Sequence, residues 1–320
     1  MLNAKYRNSL PQMNGKTMLT DGGLETTLIF LEGMDLPHFA SFDVLKTEEG
    51  REATKNYYRP YAELARAQKM GFVLESATWR ASPDWGKLLG YTTAQLEQAN
   101  RASVTLLEEI RHAFETAESP FVISGNLGPR GDGYSPTAMM SVEEACDYHS
   151  WQIGLFADAG VDVVSAVTMN YVEEALGIAH AAKKADMPVI LAYTVETDGR
   201  LPTGQTLGDA IEQTDRKTGN YPVYYMINCA HPTHFRDVLD NRDSWLSRIG
   251  GLRANASKMS HAELDNAEEL DAGDPQELGR EYHELMHMLP NLMVLGGCCG
   301  TDIRHIAAIH DACCGHRKAA

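Results

Sequence analysis

Eight short apolar, β-prone runs recur along the chain, at residues 17–23, 71–78, 120–125, 161–168, 188–195, 223–229, 247–255 and 291–297, each ending in glycine or polar residues. Between them lie amphipathic stretches, such as 94–117, 142–159 and 172–185, whose apolar residues fall at three and four spacing, the period of a helix with one buried face. Strands alternating with helices in this number predict a parallel (β/α)8 TIM barrel, a single α/β domain over residues 1–320 with its core at about 18–310. A doubly wound open sheet gives a similar pattern. The barrel is the more specific expectation, because it places active groups at the C-terminal ends of the strands, where the βα loops converge.

Polar and sulfur-bearing residues fall at those ends. Asp21-Gly22-Gly23 closes the first run, Glu75-Ser76-Ala77-Thr78 the second, and Asn126 follows the third. Thr168 ends the fourth, Glu196 follows the fifth, Asn228-Cys229 ends the sixth, Asn255 the seventh, and Cys298-Cys299 follow the eighth. Strands six and eight of a barrel are two apart, about 10 Å at roughly 4.8 Å per neighbour, so inward-facing thiols from both can meet. Three thiolates can hold a zinc ion and leave a fourth position open, which suits catalysis, since structural zinc is normally closed by four protein ligands. Zinc held so can bind a substrate thiol and keep it ionised at neutral pH. Successive strand residues point to opposite faces, so Cys298 and Cys299 can share a metal only where the backbone leaves extended geometry. Gly296, Gly297 and Gly300 permit that turn. The bland reading of the same cysteines is a set of buried, inert thiols.

Charge removes several classes of partner. With 28 Lys and Arg against 44 Asp and Glu the formal charge is −16, and the cations are scattered singly, so no footprint for nucleic acid or anionic lipid is present. No apolar run approaches the roughly 18 residues of a membrane span, and residues 1–12 carry Lys5 and Arg7 without an apolar stretch resembling a signal peptide. A cytoplasmic protein acting on small molecules is expected. Six cysteines in 320 residues are too sparse for a disulfide scaffold, and reduced thiols are expected.

Asp21-Gly22-Gly23, Ile227-Asn228-Cys229 and Gly296-Gly297-Cys298-Cys299-Gly300-Thr301, followed by the run 303–309, together resemble the homocysteine S-methyltransferase family. The likeness spans roughly residues 18–309 with its anchors in the family's order. It implies a (β/α)8 barrel with zinc held by Cys229, Cys298 and Cys299, which would also be the catalytic set. It implies methyl transfer to homocysteine sulfur, or a related thiol, from a sulfonium or quaternary ammonium donor, an activity of the EC 2.1.1 class that forms methionine or a methyl thioether. Asp21, Gly22, Gly23, Ser76, Thr78, Glu196, Asn228 and Asn255 are the expected substrate contacts, the two glycines through backbone N–H groups open to a carboxylate. Two other readings use the same cysteines: a homocysteine-binding zinc module served by a separate corrinoid protein, and a non-catalytic zinc or redox protein.

The chain departs from the family's pattern at two places. The family usually carries Glu-Thr at the end of the fourth strand, the glutamate binding the amine of homocysteine, whereas this chain has Val167-Thr168. Glu196, one strand over, is the expected replacement. After the second strand the family's Thr-x-Thr/Ser-Tyr-Gln gives way to Ser76-Ala-Thr-Trp79-Arg80, which introduces a fixed cation with a planar fork suited to a carboxylate. His231 and His234, in Cys229-Ala-His-Pro-Thr-His, mimic a zinc motif, but Pro232 fits a helix's first turn, and both are expected away from the metal. His149 and Cys146 read as helix core, and Cys313-Cys314 as packing residues. The glycine-rich segment 125–133 lacks the ending of a phosphate loop, and the acidic stretch 263–281 reads as a solvated helix and loop.

Overall fold

The computed structural model describes residues 4–239, 243–267 and 269–315. Residues 1–3 of the N-terminal segment and residue 268 of the acidic stretch therefore lie outside the described residues. Eight parallel strands close into a barrel in chain order: β1 (Met18–Leu19), β2 (Gly71–Glu75), β3 (Phe121–Leu127), β4 (Val163–Met169), β5 (Val189–Tyr193), β6 (Tyr225–Asn228), β7 (Ile249–Ala254) and β8 (Val294–Gly297). Met18 pairs with Gly71 on one side and with Val294 on the other, and this second pairing closes the barrel and excludes an open sheet.

Alternation along the strands divides the apolar residues into two sets. Val73, Val122, Val163, Ile190, Met226 and Val294 fill the barrel interior. Phe72, Leu74, Phe121, Ile123, Val164 and Leu191 face outward into a shell packed against the helices. Both strand faces are thus dry, which is why the runs read as continuous apolar segments rather than as alternating ones.

The helices begin where the sequence supplies caps. Thr92 and Gln95 form a reciprocal capping box before Thr93–Phe114, and Ser141 and Glu144 do the same before Val142–Ala159, where Gly160 (φ 78°) ends the helix in the left-handed conformation. Such caps contribute about 1 kcal/mol each by satisfying N–H groups that have no helical partner. The helix expected over 142–159 occupies those residues, and the one expected over 172–185 spans Val172–Lys184.

The first strand is shorter than the 17–23 run suggests. After Leu19 the chain turns onto the β8 loop, with the Gly23 N–H bonded to the Thr301 carbonyl at 3.0 Å. A Cβ at Gly22 would lie 2.6 Å from that carbonyl oxygen, and one at Gly23 would lie 2.7 Å from the carbonyl of Cys298. Glycine at both positions is therefore required by the close approach of two loops. Among the described residues no helix is long and apolar enough to cross a membrane.

Candidate metal centre and substrate cavity

The ends of β6 and β8 bring three sulfur atoms together. Cys229 leaves β6 with φ 53°, while Cys298 donates its N–H to Ala254 at the end of β7, and its own carbonyl accepts from Thr301 across a turn that contains Gly300 (φ 78°). This turn breaks the extended geometry, so that Cys298 and Cys299 point to one place. The Sγ atoms of Cys229, Cys298 and Cys299 all lie within 4.8 Å of one another, and among the described residues no His, Asp or Glu joins them.

The sulfur atoms of Cys229 and Cys298 are in contact, with Cα atoms 5.4 Å apart. The same convergence lets these two thiols share a metal when reduced and bond to each other when oxidised. Cys299 stays free, and burial pushes its thiol up to about 11. Its neighbour is the Tyr134 hydroxyl, 4.0 Å away.

A polar frame holds Cys229 in place. Asn228 accepts the Thr168 N–H (2.9 Å) and donates through Nδ2 to Thr168 Oγ1 (3.0 Å) and Cys229 Sγ (3.3 Å). Thr168 sits at φ 62°, beside a register shift between Ala166 and Met169. A β-branched residue in that region is strained by about 1–3 kcal/mol, and the Asn228 bonds are what hold it there. Asn255 donates to the Cys229 carbonyl at 3.1 Å, and His261 Nε2 donates to the same oxygen at 2.6 Å. The His261 ring stacks on Tyr134 with centroids 4.0 Å apart.

Above the sulfur atoms opens a cavity of about 490 Å³, lined by the ends of most strands. At its floor Asp21 accepts from Arg253 Nη2 (2.7 Å) and from the Tyr57 hydroxyl (3.0 Å), and Arg253 Nη1 lies 3.9 Å from Glu75. Burial raises the Asp21 carboxyl, with Arg253 offsetting part of the effect, and burial pushes Glu75 up to about 6. Val167 adds an apolar patch to the lining, and its strand neighbour Thr168 adds a polar one.

Several expected contacts are placed differently from their sequence reading. Gly22 and Gly23 border the cavity, and the Gly23 N–H is engaged by the Thr301 carbonyl rather than open to a substrate carboxylate. Ser76 and Thr78 bond to each other at 2.6 Å, and both bond to the Asn126 backbone, tying β2 to β3. Ser76 borders the cavity; Thr78 and Asn255 are not among its lining residues. Glu196 is also absent from the lining. Its side chain is 36% exposed and pairs with His261 Nδ1 at 3.1 Å, away from Val167 in the lining.

The remaining histidines and cysteines sit away from the sulfur atoms. His231 faces Glu281 at 3.3 Å, and burial pushes it down to about 4. His234 bonds to the Lys258 carbonyl, and buried His149 bonds to Glu174 at 2.9 Å. Cys146 is buried in the outer shell, and Cys313 and Cys314 pack against it. The acidic stretch forms part of the cavity wall through Leu264, Asp265, Glu269 and Asp271, which is more than a solvated face. Arg253, Tyr57, Tyr134 and His261 were not picked out from the sequence. Of these only Arg253 left a signal, a lone cation inside an apolar run.

The profile of the homocysteine S-methyltransferase family matches residues 18–313. Among solved structures the chain is similar to the homocysteine methyltransferase MmuM from Escherichia coli in its oxidized form, at 20% identity and a TM-score of 0.74, covering 94% of this chain and 97% of that one. The metallated form of the same protein matches at 19% identity and a TM-score of 0.71, over 94% and 98%. At such identities the structures show a shared fold, and the family follows from the profile match over nearly the whole barrel. The chain belongs to the homocysteine S-methyltransferase family and is a methyltransferase of the class that acts on homocysteine.

Proposed function

We propose that this methyltransferase is zinc-dependent and transfers a methyl group from a sulfonium or quaternary ammonium donor to the sulfur of homocysteine or a related thiol. The observation that carries the reading is the meeting of Cys229, Cys298 and Cys299 within 4.8 Å at the cavity. Three sulfur donors without a fourth protein ligand fit an open zinc site. In the reduced state these cysteines would hold the metal, whose contribution is to keep an acceptor thiol ionised at neutral pH.

The protein's own residues supply the rest. The ionised acceptor sulfur uses a lone pair to form the new S–CH3 bond as the bond from the methyl carbon to the donor's sulfur or nitrogen breaks, and the donor leaves neutral with that electron pair. Glu25, Asp132, Asp265, Glu269 and Asp271 line the cavity and favour a cationic donor over an anionic one. Asn228 holds the Cys229 sulfur, and Asn255 and His261 hold its carbonyl, so the acceptor's position is set before the donor enters. Asp21, Gly22, Gly23 and Ser76 shape the floor and wall, while Thr78 and Glu196 act from behind them.

The test is a mass-spectrometric screen of reduced, zinc-loaded protein against homocysteine and other thiols, each with sulfonium and quaternary ammonium donors. Methylated homocysteine from one donor class is the expected product. Full turnover by metal-free protein would remove the zinc from the proposal.

A further inference from the structure

We propose that Arg80, clamped between Trp79 and Trp85, is the anchor for a substrate carboxylate. The proposal rests on the cavity's being the site of methyl transfer, and it assigns to the β2 side of that cavity a recognition role for an anionic group.

The two arginines of the cavity are equally buried and oppositely partnered. Arg253 is 8% exposed and has Asp21 at 2.7 Å and Glu75 at 3.9 Å. Arg80 is 7% exposed, and among the described residues no carboxylate lies within 4.0 Å of it. Among the described residues its one hydrogen bond runs from Nη1 to the Gly131 carbonyl at 2.8 Å, and Nε has no partner there. Asp132 and Glu25 attract it from across the cavity, but neither is in contact, and a guanidinium withdrawn from water without a direct carboxylate partner is costly. Burial accordingly pulls Arg80 down to about 10, which leaves it charged at neutral pH.

Its geometry is held as a fork. The guanidinium carbon lies 4.1 Å from the Trp79 ring centre and 3.7 Å from that of Trp85, so the two indoles restrain the side chain. Both indole N–H groups are also buried and without an acceptor, and all three side chains line the cavity. Three side chains thus carry N–H groups that no protein acceptor takes. A carboxylate, with two oxygens and about four lone-pair sites, is the group that a guanidinium fork in the lining matches best. A cationic group does not fit here, because the guanidinium already occupies the aromatic faces. The Gly23 N–H, another host expected for a carboxylate, is engaged by the Thr301 carbonyl.

The carboxylate can belong to the acceptor amino acid or to the methyl donor, and the experiment separates the two. Reduced, zinc-loaded wild type, Arg80→Gln and Arg80→Lys are titrated calorimetrically with matched probes. The acceptor arm uses homocysteine, 4-mercaptobutanoate and the carboxylate-free 3-aminopropane-1-thiol. The donor arm uses glycine betaine against choline, and S-methylmethionine against trimethylsulfonium.

Arg80→Gln should weaken the carboxylate-bearing probes of one arm by tenfold or more, leave that arm's carboxylate-free probe within twofold, and leave the other arm unchanged. Arg80→Lys should recover part of the loss. Trp79→Phe and Trp85→Phe, which shrink the rings that clamp the guanidinium, should weaken the same probes by a few fold. If wild type binds matched probes equally, or if Arg80→Gln weakens both members of a pair alike, the proposal is overturned. Binding that depends on Arg80 without turnover would preserve this inference and remove the methyl-transfer reading instead.

Discussion

The sulfur corner at the ends of β6 and β8 and the polar wall around the rest of the strand ends are built by different means. At the corner, backbone conformation does the placing: a left-handed Cys229, a turn through Gly300, and glycines where Thr20 and Thr301 leave no space for a Cβ. The residue types alone then define what can bind. Along the wall the side chains are largely engaged with one another, Ser76 with Thr78 and Asn228 with Thr168. Asp21 is likewise taken by Arg253, and Glu196 by His261. A polar residue at a strand end is thus a ligand candidate only after its neighbours have been counted. Arg80 is the wall residue that this counting leaves over.

The largest test of the contrast is removal of a sulfur. Cys229→Ala or Cys298→Ala should abolish zinc binding and lower kcat/KM at least about a thousandfold, roughly 4 kcal/mol in transition-state terms, with circular dichroism unchanged because the barrel core does not depend on these sulfur atoms. Metal analysis and kinetics on the same preparations check this. Zinc uptake should likewise be lost on oxidation and recovered on reduction, since a bonded Cys229–Cys298 pair would withhold two thiolates.

The wall should respond through stability. Asp21→Asn leaves Arg253 buried beside a neutral partner and should cost about 3 kcal/mol in urea unfolding. Glu75 follows with a pH signature. Burial lifts it from an ordinary value of 4.5 to about 6, so the fold prefers the protonated form. The associated stability is fully present below about 4.5 and is lost as the pH rises through 6, roughly 2 kcal/mol in all. Glu75→Gln should flatten that part of the pH–stability curve.

Asn228→Ala, which removes the bonds restraining Thr168 and Cys229, should destabilise by about 1.5 kcal/mol and weaken zinc binding about tenfold. The smallest effect belongs to Glu196→Gln. The homocysteine KM should stay within about twofold of wild type, since this carboxylate stands outside the cavity lining; a tenfold rise would return Glu196 to the role expected from sequence.

The barrel was legible because strand and helix periods alternate regularly and because caps such as Ser141 with Glu144 mark helix starts. Its first strand was read too long, since residues 20–23 keep a strand-like composition while closing onto a loop that ends at Thr301, far along the chain. The three cysteines were legible by type and position. The Cys229–Cys298 contact, the left-handed Thr168 and the engagement of the Gly23 amide were not, because each depends on a partner supplied by a different strand. Arg253 shows the same limit: an isolated cation in β7 marks a buried charge, but only the closed barrel identifies Asp21 as its counter-ion.

The central claim is that the three cysteines form an open zinc site that accepts a substrate thiol. X-ray absorption at the zinc edge of the reduced, loaded protein tests it most directly by counting sulfur neighbours before and after homocysteine is added. The account predicts three sulfurs from Cys229, Cys298 and Cys299, rising to four with homocysteine. Four protein ligands already present, or a sulfur count that homocysteine leaves unchanged, would contradict it.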